Sequence, residues 1–247
     1  MRFAGILIGD ELLSGKRQDK HLPFVIETLR KRGLELAWVQ MLGDDATDIT
    51  AALQITMASG DAVFCFGGIG ATPDDRTRQA AAQAAGVIIA RHPEAVEILE
   101  RRFGDDAYPN RIRMAELPQG CVLIPNPVNE IPGFSVGHHH FVPGFPDMAW
   151  PMIEWVLDRH YTRYFNPDPD REYRYRLENV PESELVPVFE ELLDRFPGLR
   201  VSSLPSTESP RREIEVGIKG RAAHLDAAAE LLTDHFDTLG AQWTALT

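Results

Sequence analysis

A glycine-rich loop whose residue types suit phosphate binding lies in the first third of the sequence. It runs from Gly67 to Asp75 and includes Gly68, Gly70 and Thr72. Glycines let the backbone approach a ligand, so that amide N–H groups can bind phosphate oxygens, and a threonine hydroxyl adds a donor. The spacing matches neither a P-loop nor a Rossmann fingerprint. We therefore predict a phosphate-binding loop; the alternative is a tight turn from strand to helix.

Acidic residues close this loop and follow two earlier strands. Asp74 and Asp75 lie where the loop meets the start of a predicted helix, and because one carboxylate suffices as a cap, the other is available for a divalent metal that bridges to phosphate. Asp10 and Glu11 follow the first predicted strand, and Asp44 follows the second. Since parallel strands end at one edge of a sheet, these acids predict a metal-binding acidic rim. The alternative is that each acid caps its own helix.

The elements that must position these residues alternate between strand and helix. Short apolar runs predict strands, and apolar residues at helical spacing predict helices. The predicted strands are Phe3 to Ile8, Leu34 to Leu42 (near a sheet edge) and Asp61 to Phe66, and the predicted helices are Leu22 to Arg32, Asp45 to Ser59 and Asp75 to Ala85. This order is typical of an α/β fold, a three-layer, mostly parallel sheet with helices on both faces.

The remaining sequence predicts the end of this domain and a second one. Further helices are predicted at Pro93 to Phe103 and Asp147 to Tyr164, and further strands at Cys121 to Ile124 and Phe134 to Val142. Proline and aspartate alternate at 166–170, where no core can form. We therefore predict domains at 1–167 and 171–247, the second with the order β-α-β-β-α of a small α+β fold.

Charge and cysteine content limit the partners and the compartment. The 247 residues carry a formal net charge of −12, which argues against binding to a nucleic-acid backbone. Cys65 and Cys121 lie in apolar runs, which predicts buried reduced thiols. The sequence shows no signal peptide and no apolar run of membrane length, so we expect a cytoplasmic protein that does not bind membranes.

Several segments, taken in order, resemble the molybdopterin-binding (MoaB/Mog-like) domain family. The resemblance covers about residues 1–165 and is carried by Gly9–Gly15, Asp19, Gly43–Asp45, Gly67–Thr77, Arg113–Pro118, Asn126-Pro127, Ile131–Phe134 and Pro143–Pro146. The branch it resembles most is the N-terminal part of competence/damage-inducible protein A, whose KH-like middle domain the second domain resembles. That branch has a further nicotinamide mononucleotide deamidase domain, which has no counterpart here, so we do not expect that activity.

Residue chemistry and resemblance together assign a candidate site. The predicted catalytic residues are Asp75 and Asp44, and the predicted metal ligands are Asp10, Glu11 and Asp75. The predicted substrate-binding residues are Gly67, Gly68, Gly70, Thr72, Asp74, Asn126 and Gly144.

The resemblance implies two activities that share these parts. One branch of the family is associated with metal-dependent cleavage of the pyrophosphate in ADP-ribose, and other members bind and transfer molybdopterin. We predict a nucleotide pyrophosphatase for ADP-ribose-type dinucleotides, with Mg²⁺ or Mn²⁺ as cofactor, a phosphorylated small molecule as partner and a homo-oligomeric state. The alternatives are a molybdopterin-binding or transfer protein and a non-catalytic member.

Three single positions and one three-residue segment depart from the family pattern. The usual proline after the loop glycines is Ala71, the asparagine two residues after Asp19 is His21, and the glutamate near the Pro-Gly-x-Pro turn is Asp147. The segment 129–131, Asn-Glu-Ile, replaces Gly-Thr-Ala. We expect a positive φ at its asparagine, and added charge and bulk facing the substrate from the other two residues, which motivates the non-catalytic alternative.

Two further motifs favour structural interpretations. The run His138-His139-His140 invites a metal site, but consecutive strand residues face opposite sides, so we expect a surface strand or a dimer contact. The segment Gly217–Gly220 has the spacing of a nucleic-acid-binding KH loop. The segment ends a predicted strand, and its domain carries a net negative charge. We therefore expect this domain to serve in packing or dimerisation and not to bind nucleic acid.

Overall fold

The computed structural model describes residues 1–206 and 213–246. The chain separates into two compact units, one spanning Met1–Pro167 and the other beginning at Asp168. Within the described residues, no helix is both long and apolar enough to cross a membrane.

The first unit alternates strands and helices along its first third. Its strands are β1 (Phe3–Ile8), β2 (Leu36–Leu42), β3 (Ala62–Phe66), β4 (Ile89–Arg91), β5 (Glu116–Pro118), β6 (Val122–Ile124), β7 (Gly133–Val136) and β8 (His139–Val142). Its helices are α1 (Asp10–Leu13), α2 (His21–Arg30), α3 (Ala46–Ser59), α4 (Thr77–Ala85), α5 (Pro93–Phe103) and α6 (Pro146–His160).

Six of these strands form one mostly parallel sheet, in the order β2-β1-β3-β8-β7-β6. The pairs β1–β2, β1–β3 and β3–β8 are parallel, and β8–β7 and β7–β6 are antiparallel. The predicted fold class is confirmed, and β2 lies at a sheet edge as predicted. The carboxyl ends of β1, β2 and β3 therefore lie side by side, which brings the loops after them to one edge.

One predicted strand is wrong in this unit. The segment Phe134 to Val142 forms the hairpin of β7 and β8, with Phe134 opposite Phe141. Gly137, in the turn, has φ of 57°. A glycine reaches this left-handed conformation at low cost, which lets the chain reverse where the apolar run alone predicts a continuous strand.

The sheet is buried on both faces because alternate residues of its central strands enter different cores. Ile6 and Ile8 of β1 pack in a cluster with α3, α4 and α5, whereas Phe3 and Leu7 pack in a second cluster with α2 and α6. Full burial of such a side chain contributes about 1.5–3 kcal/mol to folding. Both cysteines are buried and unpaired, as predicted.

The second unit is a separate α+β fold. Its four strands, in the order β10-β11-β9-β12, form an antiparallel sheet. The strands are β9 (Arg171–Glu178), β10 (Arg200–Pro205), β11 (Glu213–Gly220) and β12 (Gln242–Leu246), and the helices are α7 (Val186–Arg195) and α8 (Ala222–Thr238). The sequence prediction missed β12, which pairs with β9 and places the half-buried Trp243 in the core.

Candidate functional site

A cavity of about 470 Å³ opens at the carboxyl edge of the parallel strands. We name it the loop cavity, and its size is that of an ordinary small-molecule site. Of the predicted site residues, Asp10 alone does not line it. The others do, namely Glu11, Asp44, Gly67, Gly68, Gly70, Thr72, Asp74, Asp75, Asn126 and Gly144.

The glycine loop forms one wall of the loop cavity in a conformation that only glycine adopts readily. Gly67 and Gly68 have φ of 101° and 68°. Thr77 at the start of α4 donates its N–H to the Gly68 carbonyl and its hydroxyl to the Gly67 carbonyl, both at 3.0 Å. These two bonds fix the shape of the loop. The N–H groups of Gly68, Ile69 and Gly70 donate no hydrogen bond within the described residues. Unpaired consecutive amides of this kind suit an anionic ligand.

A buried arginine that the sequence prediction missed fixes the far side of this loop. Arg78 is 2% exposed and donates to the Gly70 carbonyl at 2.8 Å. It also donates to the carbonyls of Arg113 and Glu116. Burial lowers the pKa of its guanidinium, although an arginine stays charged at neutral pH. The only sign of this role in the sequence is that the arginine shares a helix with buried alanines.

The two acids that end the loop have different surroundings. Helix α4 begins at Thr77, two residues later than predicted, so both acids lie in the turn before it. The Asp75 carboxylate accepts from the Thr72 N–H at 2.9 Å and from its hydroxyl at 2.5 Å. The Thr72 hydroxyl proton, predicted for the ligand, is thus donated to Asp75. Asp74 is exposed at the cavity rim.

Asp44 is a cavity-lining acid whose surroundings raise its pKa. Burial raises its pKa, a hydrogen bond from the Asp10 N–H opposes that rise, and the charges of Asp10, Glu11 and Asp74 raise it further. Carboxylates from three loops therefore lie close enough to repel one another. They come from the loop after β1, the loop after β2 and the glycine loop. This is the acidic rim expected from three strands ending at one edge.

The carboxylates do not form a complete metal site by themselves. No group of three metal-ligating side chains is arranged to hold an ion anywhere in residues 1–206 or 213–246. Mg²⁺ is commonly held by one or two carboxylates together with the phosphates of a ligand. Glu11 and Asp75 line the cavity and can serve in that way, whereas the Asp10 carboxylate accepts from the Asp44 N–H at 3.1 Å outside the cavity lining.

The segment facing the glycine loop leaves the loop cavity open. The expected positive φ lies at Glu130, at 63°, and not at Asn129. The Glu130 side chain is 58% exposed and pairs with Arg101 at 3.1 Å, and it lines a different cavity. The expectation that its charge faces the substrate is therefore wrong. Ile131 does line the loop cavity.

Asn126 gives this wall a buried donor. Its side chain is 5% exposed, and its Oδ1 accepts from the Val128 N–H at 3.0 Å. Its buried Nδ2 has no hydrogen-bond partner among the described residues. A buried amide without a partner costs about 1–3 kcal/mol, so a ligand acceptor here would be stabilised.

A second cavity, of about 410 Å³, adjoins the first. We name it the His21 cavity because His21 is one of the residues that line it. It shares Ile8, Glu11, Arg17 and Gly144 with the loop cavity. In the sequence, His21 stands out only as a departure from the family pattern, and nothing in the local pattern places it beside the site.

Two of the three consecutive histidines are buried in the core, whereas His138 is exposed. His139 and His140 are each 2% exposed, so the expected surface strand is wrong. His139 Nε2 lies 2.8 Å from the Thr56 hydroxyl, and the His140 nitrogens lie 2.8 and 2.7 Å from the hydroxyls of Ser135 and Tyr161. Burial lowers the pKa of His139 to about 4 and that of His140 to about 3. Both rings are neutral at pH 7 and hydrogen-bonded within the core.

Comparison with known proteins places these features in a family. Residues 4–162 match the family model described as "Probable molybdopterin binding domain". A CinA-like protein of Citrifermentans bemidjiense is 40% identical over 172 residues, covering 67% of this chain and 42% of the relative. A CinA-like protein of Geobacter sp. strain M21 is 33% identical over 237 residues, covering 93% of this chain and 55% of the relative.

A solved structure supports the fold of the first unit. The crystal structure of the protein CinA, of unknown function, from Thermoplasma acidophilum aligns with a TM-score of 0.59 at 26% identity. The alignment covers 64% of this chain and 98% of that protein. The chain spans about half the length of the CinA-like relatives it matches.

Proposed function

Because this chain belongs to the molybdopterin-binding domain family, we propose that the loop cavity binds a phosphorylated small molecule and hydrolyses the pyrophosphate of ADP-ribose-type dinucleotides. The observation that carries the proposal is that unpaired loop amides and carboxylates face one cavity. Gly68 and Gly70 supply the amides, and Asp44 and Asp75 supply the acids. Amides for phosphate and acids for metal or proton transfer are the parts that this reaction needs.

The glycine loop would bind the ligand through its backbone. A pyrophosphate is strongly anionic and the chain carries a net charge of −12, so attraction has to be local. The consecutive amides of the loop and the buried charge of Arg78 behind them provide it. The N-terminus of α4, at Thr77, adds the positive end of a helix dipole.

A divalent metal completes the proposed site. Glu11 and Asp75 line the cavity and would hold it together with the phosphates of the ligand. When bound, such a metal supplies positive charge that polarises the phosphate oxygens. The repulsion that Asp44 experiences from Glu11 and Asp74 is the kind of charge excess that a nearby cation relieves.

Asp44 is the residue we assign to proton transfer. Its Oδ2 accepts from the Asp10 N–H at 3.0 Å, which fixes the carboxylate and leaves Oδ1 available. Water attacks one phosphorus, the bond from that phosphorus to the bridging oxygen breaks, and one proton of the water passes to Asp44 Oδ1. ADP-ribose and water thus give AMP and ribose 5-phosphate. A raised pKa makes Asp44 a stronger base than an ordinary aspartate.

The test is release of AMP from ADP-ribose by the full chain with Mg²⁺ or Mn²⁺, followed by chromatography. Asp44→Asn and Asp75→Asn keep the hydrogen-bond geometry and should lower the rate about 100-fold or more while circular dichroism stays unchanged. Asp48→Asn, at an exposed position of α3, is the matched control and should leave the rate unchanged. If AMP is released neither with Mg²⁺ nor with Mn²⁺, the proposal is contradicted.

Molybdopterin binding is the second candidate function. It is favoured by the family model that spans residues 4–162, and by the unpartnered Nδ2 of Asn126, which offers a donor to a ligand acceptor. It predicts pterin fluorescence released from the purified protein on denaturation. It also predicts loss of that pterin in Asn126→Ala, and neither effect is expected of a dinucleotide hydrolase.

A further inference from the structure

Positive charge is concentrated in the segment 16–20, between α1 and α2, although the chain as a whole is acidic. The segment reads Lys-Arg-Gln-Asp-Lys, in a chain with a net charge of −12. Arg17 lines both the loop cavity and the His21 cavity, Lys20 lines the His21 cavity alone, and Lys16 lines neither. Local positive charge of this kind attracts an anion into a cleft even where the whole protein repels it.

The two cations that line the His21 cavity have no acid partner. Arg17 and Lys20 are exposed, and among the described residues neither side chain forms an ion pair or a hydrogen bond. The carboxylate of Asp19, which lies between them in the sequence, is already engaged. It accepts from the backbone N–H groups of His21 and Leu22, at 2.9 and 2.8 Å. Both cations are therefore available to an anionic ligand.

The segment is fastened at both ends to the wall that the two cavities share. Glu11 and Gly144 belong to that wall. The Arg17 N–H donates to the Glu11 carbonyl oxygen at 3.0 Å. His21 Nε2 lies 3.3 Å from the Gly144 carbonyl oxygen and donates to it, because a carbonyl can only accept. Cations on a backbone held in this way lose less freedom on binding than cations on a mobile loop.

A phosphate group is the anion that these side chains suit. A guanidinium binds phosphate through two parallel hydrogen bonds, and an ammonium adds a compact charge. Gln18 also lines the His21 cavity and offers amide donors. Because Gln18 and Lys20 line this cavity alone, the phosphate that they contact is not one that lies on the glycine loop.

We propose that the His21 cavity is an anion subsite, in which Arg17 and Lys20 bind a phosphate group that the ligand carries in addition to its pyrophosphate. This inference rests on the proposed function, since it needs the pyrophosphate to lie on the glycine loop. The shared wall at Arg17 lets one ligand reach both cavities. The favoured substrate is then a phosphorylated form of the dinucleotide, and ADP-ribose itself leaves the subsite unused.

The test is calorimetry on the full chain with ligands that differ only in the additional phosphate, without divalent metal so that none is hydrolysed. Tripolyphosphate is compared with pyrophosphate, and 2′-phospho-ADP-ribose with ADP-ribose. In at least one pair, the ligand with the additional phosphate should bind about tenfold more tightly. The pair that shows the difference identifies the source, a third phosphate in a linear chain or a monoester on a ribose.

Three exposed cations of the segment provide the variants and their control. Arg17→Gln and Lys20→Gln should each remove most of the difference. Lys16→Gln removes the same charge from a residue that lines neither cavity, and should keep the difference to within about twofold. Arg17→Lys keeps the charge but not the paired donors, and should retain part of it. Lys20→Gln should bind pyrophosphate as the unaltered chain does.

Two results would overturn the inference and leave the proposed function intact. One is equal affinity within both pairs in the unaltered chain, with pyrophosphate still bound. The other is an equal loss in Lys16→Gln and Lys20→Gln, because the effect then reflects overall charge and not the cavity. If neither pyrophosphate nor any other of these compounds binds, the glycine loop does not bind phosphate, and both the inference and the proposed function fail.

Discussion

Asp10 and Asp44 are joined by a reciprocal pair of hydrogen bonds. The Asp10 N–H donates to Asp44 Oδ2 at 3.0 Å, and the Asp44 N–H donates to Asp10 Oδ1 at 3.1 Å. The loops after β1 and β2 are thereby fastened together at the carboxyl edge of the sheet. Two carboxylates held this close repel when both are charged, so the contact combines a geometric benefit with an electrostatic cost.

We expect Asp44→Asn to raise stability at pH 7. The pKa of Asp44 is raised above its ordinary value of 3.8, so its contribution to stability is fully present below pH 3.8 and is lost as the pH rises through the folded pKa. At pH 7 the charged form is therefore a cost. Asparagine keeps the acceptor for the Asp10 N–H without the charge. Differential scanning calorimetry should show a Tm higher by up to about 3 °C at pH 7, with the gain vanishing near pH 4.

The neighbouring Asp45 supplies a control of opposite sign. Its pKa is lowered because its carboxylate accepts from the N–H groups of Asp48 and Thr47 at the start of α3. Asp45→Ala removes this helix cap and should therefore lower the Tm at pH 7. A lower Tm for Asp44→Asn at pH 7 would show that the repulsion at Asp44 is already relieved in the folded protein.

A methyl group added at Gly68 should damage the loop more than one added at Gly86. Both glycines have nearly the same φ, 68° and 69°, so both alanine variants carry similar backbone strain. A Cβ at Gly68 would collide with the Thr77 side chain. A Cβ at Gly86 would have no neighbouring atom within 4 Å among the described residues. We expect Gly86→Ala to cost about 1 kcal/mol, and Gly68→Ala about 3 kcal/mol.

The same pair of variants separates the binding role of the loop from its folding role. Urea unfolding gives the two free energies, and pyrophosphate titration gives the affinities. Gly68→Ala should lose measurable pyrophosphate affinity at temperatures where it remains folded, and Gly86→Ala should retain it. Equal affinities in the two variants would show that the backbone at Gly68 does not contribute to phosphate binding.

Arg78 should be necessary both for stability and for anion binding. Arg78→Met leaves the carbonyls of Gly70 and Glu116 without their donor, and unsatisfied buried acceptors cost about 1–3 kcal/mol each. It also removes a buried positive charge behind the glycine loop. We expect a loss of about 3 kcal/mol in urea unfolding and about tenfold weaker pyrophosphate binding.

Two companion variants interpret the result at Arg78. Arg78→Lys keeps the charge but has fewer and less directed donors, so it should recover affinity more than stability. Arg76→Met removes an exposed arginine two residues away and should change stability by less than about 0.5 kcal/mol. Full anion affinity in Arg78→Met would restrict Arg78 to a folding role.

The buried histidines should make the protein labile in acid. The pKa of His139 falls to about 4 and that of His140 to about 3, from an ordinary 6.5. Between pH 6.5 and these lowered pKa values, the unfolded chain binds protons that the folded chain does not. Stability is therefore fully present above pH 6.5 and is lost as the pH falls, by about 1.4 kcal/mol per pH unit for each histidine.

Chemical denaturation at a series of pH values checks this slope. His139→Gln keeps polar atoms opposite the Thr56 hydroxyl but does not titrate, so its stability should fall less steeply between pH 6 and pH 5 than that of the unaltered chain. Identical slopes would show that His139 is protonated in the folded protein without cost.

Much of the architecture was determined by the sequence alone. The strand Phe3–Ile8 and the helix Pro93–Phe103 have the bounds predicted for them, because runs of buried apolar residues and helical periodicity are local properties. The convergence of glycines and acids at one edge also followed from the order of elements, since consecutive parallel strands end on the same side.

Only the tertiary structure decided what individual side chains do at that edge. Asp10 pairs with Asp44 and lies outside the cavity lining, although its sequence context matches that of Glu11, which lines it. Arg78 and His21 acquire their roles from carbonyls far along the chain, at Glu116 and Gly144. Such contacts depend on how distant loops meet, and neither residue spacing nor periodicity carries that information.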